Sequence, residues 1–160
     1  AESRLDVSAE NPDGNMDRQI ERLTKLLTDL PPEEVRDFDR HFAQCMYDAY
    51  RWDLWAAAYI IEGGCSDDGF MDFRSWLISM GHDVYERALA DSESLVDHAA
   101  DPTVEVCAFE ELQYVASKVH GDPMDHGLEH PAEPSGEPWE EEGDDLERRF
   151  PRLWAKFADE

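Results

Sequence analysis

Apolar residues recur at helical spacing from residue 16 onward. Ile20, Leu23, Leu26, Leu27 and Leu30 fall at i, +3, +6, +7 and +10, with Met16 one turn earlier, which predicts a helix. Pro31-Pro32 stops it. Pro32, followed by Glu33 and Glu34, starts a second helix with acids in the first turn, on which Val35, Phe38, Phe42, Cys45, Met46 and Ala49 share a face. From Ala49 to Ile61 the chain becomes apolar on nearly every side, the pattern of a central, buried helix in which Trp55 and Ile60 are expected to be almost fully covered. A single helix over Glu33–Glu62 would be about 45 Å long at ~1.5 Å per residue, so a bend is expected near Tyr50–Asp53. Gly63-Gly64 is a natural C-cap, and Ser66 or Asp67 caps a further helix carrying Phe70, Phe73, Trp76, Leu77 and Met80. Short helices from Asp83 and from Ser92 or Ser94 follow. Val104–Val119 reads as one more, closed by His120-Gly121. Nothing alternates with the period of a strand. The fold class expected is all-α: a compact single-domain helical bundle around a central apolar helix, with an acidic extended tail and a C-terminal amphipathic segment.

Charge divides the chain further. Residues 122–147 hold eleven acids, four prolines and no Lys or Arg, and alone should be disordered or extended. Residues 148–160 reverse the sign with Arg148, Arg149, Arg152 and Lys156. Leu146, Phe150, Leu153, Trp154 and Phe157 there repeat at helical spacing. The organisation expected is an N-terminal remnant and turn (1–15), a helical core domain (16–121), an acidic linker (122–147) and a basic amphipathic segment (148–160). That last segment should dock on the core with its cations facing the core's carboxylates. With 39 Asp and Glu against 14 Lys and Arg, the net charge of −25 argues against direct nucleic-acid binding and against anionic membrane surfaces. No apolar run nears the ~20 residues of a membrane span. Three cysteines, Cys45, Cys65 and Cys107, are too few for a disulfide scaffold, and Ala1–Val7 lacks an apolar signal stretch, so the location expected is cytoplasmic.

The run Ala49-Tyr50-Arg51-Trp52-Asp53-Leu54-Trp55-Ala56-Ala57-Ala58-Tyr59-Ile60-Ile61 leads into Gly63-Gly64-Cys65-Ser66-Asp67-Asp68-Gly69-Phe70 and Asp72-Phe73-Arg74-Ser75-Trp76-Leu77-Ile78. With Tyr85-Glu86-Arg87-Ala88-Leu89 and Phe109-Glu110-Glu111-Leu112 it resembles the bacterial domain of unknown function 4240 family, over roughly residues 20–120. The resemblance implies a small, mostly helical protein. It implies no activity and carries over no functional residues.

Chemistry concentrates near Gly63–Gly69. The glycines let backbone approach a ligand, and Ser66, Asp67 and Asp68 offer oxygen ligands; the plain alternative is a C-cap, a turn and an N-cap. Cys65 has acidic neighbours, which raise a thiol pKa and oppose nucleophilic use. Trp52, Trp55, Tyr59 and Glu62 form one helical stripe, which either lines a pocket for a cationic or planar ligand or belongs to the core. Arg51 and Arg74, if buried, need partners; Asp53, Asp67 and Asp68 are the candidates, in a structural clasp or an anion-binding fork. His41 and Cys45 have metal-ligand spacing, but no second pair completes a zinc set. His120, His126 and His130 read as solvated. No metal or cofactor is implied. Three functions remain open. One is an interaction or small-ligand-binding module with a groove near Gly63–Gly69, its partner an unknown protein or small molecule. Another is an enzyme using Glu62, Asp67 and Asp68 as acid/base groups or metal ligands. The last is an acidic inhibitor that mimics nucleic acid.

Overall fold

In the computed structural model, which describes residues 11, 13–99, 106–121 and 126–158, helices begin where prolines, serines and acids place them. α1 (Met16–Thr28) follows a turn in which the Gly14 N–H donates to the Asn11 carbonyl at 3.1 Å. α2 (Pro32–Asp48) has Pro32 at its first turn, where a missing N–H costs nothing. α3 (Trp52–Glu62) has six buried residues, and α4 (Asp67–Ser79) has seven, including Trp76 and Arg74. α5 (His82–Ala90) leads into a 3₁₀ segment, Ser92–Asp97. A second 3₁₀ segment, Glu110–Tyr114, runs directly into α6 (Val115–His120). Two short helices, α7 (Asp145–Arg149) and α8 (Pro151–Phe157), end the described chain. The fold is all-α; among the described residues there is no β-strand beyond an isolated bridge between Arg51 and Ser135. No helix among them is long and apolar enough to cross a membrane.

The long apolar run breaks where its length requires. Ala49 closes α2, Arg51 adopts extended backbone at φ −133° and ψ 144°, and α3 starts at Trp52. Leu54, Ala56, Ala57 and Ala58 are wholly buried, because α3 meets α4 and the 92–97 segment and is covered by α8. α1 and α2 pack on α6. At the other end of α3, Gly63 takes the left-handed conformation (φ +69°), and the Gly64 N–H reaches back to the Tyr59 carbonyl at 2.8 Å.

Four expectations need correction. Val104–Val119 is not one helix: Val106–Phe109 is irregular, a 3₁₀ segment follows, and only Val115–His120 is α-helical, while residues 104 and 105 lie outside the described residues. There the Ser75 hydroxyl donates to the Phe109 carbonyl and the Phe109 N–H to the Asp72 carbonyl, and these contacts with α4 replace helical pairing. Trp55 is half-buried, not fully buried, although Ile60 is 3% exposed. Leu26 and Leu30 are exposed, because they lie at the edge of the α1 stripe. The cations of the last segment mostly avoid the core's carboxylates. Arg148 and Arg149 pair with Asp145 at the end of the acidic stretch, Lys156 donates to the carbonyls of Val96 and Ala99, and among the described residues only Arg152 faces a core acid, Asp97 at 3.6 Å. Instead, Leu153 is fully buried, and the Glu93 carboxylate accepts from the Arg152 and Leu153 backbone N–H groups at the start of α8.

Residues 126–144 have no helix, in keeping with their composition, but they are held against α3. Ser135 exchanges two backbone hydrogen bonds of 2.9 Å, its N–H to the Tyr50 carbonyl and its carbonyl from the Trp52 N–H. The Trp139 indole donates to the Trp52 carbonyl at 2.9 Å, and Arg149 holds the carbonyls of Glu137 and Pro138. We call this segment the strap.

Candidate functional site

Helical phase puts Trp52, Trp55 and Tyr59 on one edge of α3. Trp52 stacks on Trp55 with centroids 5.4 Å apart, and Trp55 stacks on Phe70 at 5.2 Å. The stripe is not an open groove: Trp139 of the strap stands edge-on to both tryptophans and tilts against Tyr59 at 4.9 Å, while the Tyr59 hydroxyl donates to Glu141. The stripe and the glycine loop do meet, because the Trp55 indole donates to the Cys65 carbonyl at 2.9 Å. Ser66 is the N-cap of α4, accepting from the Gly69 N–H at 3.1 Å. Asp67 and Asp68 are exposed in the first turn of that helix. Glu62 is exposed as a residue, while its carboxyl is partly desolvated. That desolvation pushes its pKa up to about 7; the Cys65 thiol's hydrogen bond opposes the rise, and the charge of Asp72 adds to it. Burial first, then Glu62, pushes the Cys65 thiol up to about 12, far from a thiolate at neutral pH. His41 and Cys45 line a separate, largely apolar cavity of about 310 Å³ between α1, α2 and α4. Among the described residues no group of three or more His, Cys, Asp or Glu converges in the manner of a metal site.

The two arginines find carbonyls instead of carboxylates. Arg51 donates to the carbonyls of Asp48 and Leu89, both at 2.9 Å, and thereby ties the α2–α3 break to α5. Arg74 is 1% exposed and donates to the carbonyls of Met46 (2.7 Å) and Phe70 (3.4 Å). Its guanidinium lies 4.6 Å from the centre of the Tyr50 ring and 4.8 Å from that of Phe70. Neither arginine forms an ion pair with a described carboxylate. Burial pulls the Arg74 pKa down, but an arginine stays charged in proteins, so α4 carries a fixed positive charge inside the fold.

That charge forms part of the wall of a cavity of about 360 Å³ between α2, α4, α6 and the strap. Phe42, Ala43, Met46 and Met71 supply its apolar surface; Asp39, Tyr47, Gln113 and Ser117 supply polar groups. The strap adds His126 and His130. Their rings meet Tyr47 edge-on at 6.0 and 5.2 Å, and His130 also meets Tyr50 at 5.3 Å. Tyr50 connects this cavity to the glycine loop, since its hydroxyl donates to Asp67 at 3.4 Å. Burial raises the Asp39 carboxyl pKa and the charge of His126 pulls it back. Of these residues the sequence points only to Arg74. The strap brings both histidines to the cavity; His130 is exposed, as expected, whereas His126 is half-buried. The one available signal was the pair of histidines four residues apart inside an otherwise acidic run.

In comparison with known proteins, the family model described as protein of unknown function (DUF4240) matches residues 5–121. No curated protein and no solved structure matches the chain.

Proposed function

The chain belongs to the DUF4240 family of proteins of unknown function, and we propose that it is a small-ligand-binding module whose ligand is an organic anion seated against Arg74. The observation that carries this reading is a buried guanidinium, without a described carboxylate in ion-pair range, in the wall of a cavity of about 360 Å³. Among the described residues this buried charge gives its hydrogen bonds to carbonyls and its faces to rings, with Asp67 acting on it from beyond ion-pair distance, and it is favourable ground for an incoming carboxylate, which forms short charge-assisted bonds with a guanidinium. The apolar wall of Phe42, Met46 and Met71 suits a short hydrocarbon or aromatic body. The chain's −25 charge selects against polyanions, so a monocarboxylate fits better than a phosphate ester and nucleic acid is not a partner. Cys45, Cys65 and Cys107 form no disulfide with one another, which supports a reducing, cytoplasmic setting. The enzyme reading is less supported, because Asp67 and Asp68 stand exposed at a helix start and both arginines go to carbonyls.

Titration of the full chain with benzoate, followed by NMR, tests the proposal. Benzoate should shift the resonances of Arg74, Gln113 and Ser117, and benzamide, its neutral isostere, should not. Arg74→Met should abolish the effect. Because that change risks the fold, Ser117→Phe, which fills the cavity from its wall, provides a second block. Equal shifts with benzoate and benzamide, or none with either, would reject the anion site.

A further inference from the structure

We infer that His126 and His130, supplied by a segment beyond the family match, set the charge specificity of the Arg74 cavity, with His126 a constant donor and His130 a donor gained on protonation. The inference rests on the anion-binding reading above. Its starting point is the hydrogen bonding of each ring. The Nδ1 of His126 accepts from the Leu128 backbone N–H at 3.2 Å, so in the neutral ring the proton sits on Nε2. The Nδ1 of His130 lies 2.6 Å from the Pro131 carbonyl. A carbonyl only accepts, so this Nδ1 carries the proton, and the neutral ring is left with a bare Nε2.

The two rings therefore respond differently to acid. A second proton on His126 would have to enter at Nδ1, against the Leu128 N–H, and would break that bond. A second proton on His130 enters at Nε2 and breaks nothing. His130 thus changes from acceptor to donor, and from neutral to cationic, beside a cavity that already holds Arg74. Both rings are positioned by the same strap, whose Ser135 is fixed to the backbone of Tyr50 and Trp52. The charged and titratable groups around them are Asp39 and Tyr47 from α2, Tyr50 before α3, Asp67 and Arg74 from α4, and Glu133 from the strap. Among the described residues Asp39 is the one acid in the cavity wall, and it is the alternative source of a pH response tested below.

The experiment is benzoate affinity of the full chain at about pH 5.5 and about pH 8. Benzoate stays ionised across that range. The wild-type chain should bind about tenfold more tightly at the lower pH, the size of a typical coupling between two sites. His130→Gln should flatten the profile. His126→Gln should weaken binding by a similar factor at both pH values, and Asp39→Asn should keep the slope. A wild-type profile that is flat, or a slope that survives His130→Gln and disappears in Asp39→Asn, overturns the assignment while leaving the anion site standing. Failure of benzoate to bind at either pH overturns both.

Discussion

Glu62 and Cys65 face each other across the glycine turn: Glu62 raises the Cys65 thiol pKa, whereas the thiol's hydrogen bond lowers that of Glu62, and desolvation is the largest cause for both. For Glu62 the folded-state pKa of about 7 stands above an ordinary value of 4.5. The folded chain therefore holds this proton more tightly than the unfolded chain does. Its contribution to stability is complete at pH values below 4.5 and is lost as pH rises through about 7. Glu62→Gln should remove that slope, so denaturant midpoints of the variant and the parent should converge at low pH and separate toward neutrality, with the variant more stable. Cys65, held up at about 12, should react with iodoacetamide at pH 8 more slowly than a free cysteine, as mass spectrometry of the labelled peptide would show. The same neighbourhood shows why Trp55 eluded a pattern-based reading. Its ring is covered by Trp52, Phe70 and the strap but not enclosed, and helical phase alone cannot count the layers above a side chain.

At the scale of elements, α3 is the piece on which the rest is assembled. Leu54 is wholly buried and Ile60 nearly so, so Leu54→Ala or Ile60→Ala should each cost about 2–5 kcal/mol in chemical denaturation. Gly63→Ala meets no neighbouring atom within 4 Å, so its cost should be only that of the left-handed backbone, about 1 kcal/mol. The helices from α1 to α5 were legible because prolines, glycines and capping residues mark their ends: Pro32, Gly63, Ser66 and Gly81 stand at or beside boundaries in the structure. The stretch before α6 was not legible. Its apolar residues keep helical spacing, but Phe109 and Ser75 use their hydrogen bonds across to one another, and no local pattern records a bond between residues 34 apart. The cavity was hidden for the same reason. Arg74 was a candidate by type, whereas Asp39, Tyr47 and the two histidines become neighbours only through the strap.

For the molecule as a whole, hydrophobic contact outweighs charge in holding the C-terminal segment. Leu146, Phe150 and Leu153 are buried, each contributing about 1.5–3 kcal/mol. Arg152 and Asp97 form an exposed pair, and such pairs are typically worth ~0–1 kcal/mol. Deleting residues 146–160 should therefore lower the melting temperature at high as well as low salt. It should also expose the apolar surface beneath α8 and promote self-association, measurable by light scattering. An unchanged melting curve and an intact monomer would mean that the segment serves another surface. The strap has a consequence in time as well as in space. Trp139 covers Trp52 from a position 87 residues later in the chain. At a synthesis rate of ~5–20 residues per second, the ribosome takes on the order of ten seconds to cross that interval. Through that time the nascent chain carries its aromatic stripe without its eventual cover, and this is the period in which a chaperone would find most to hold.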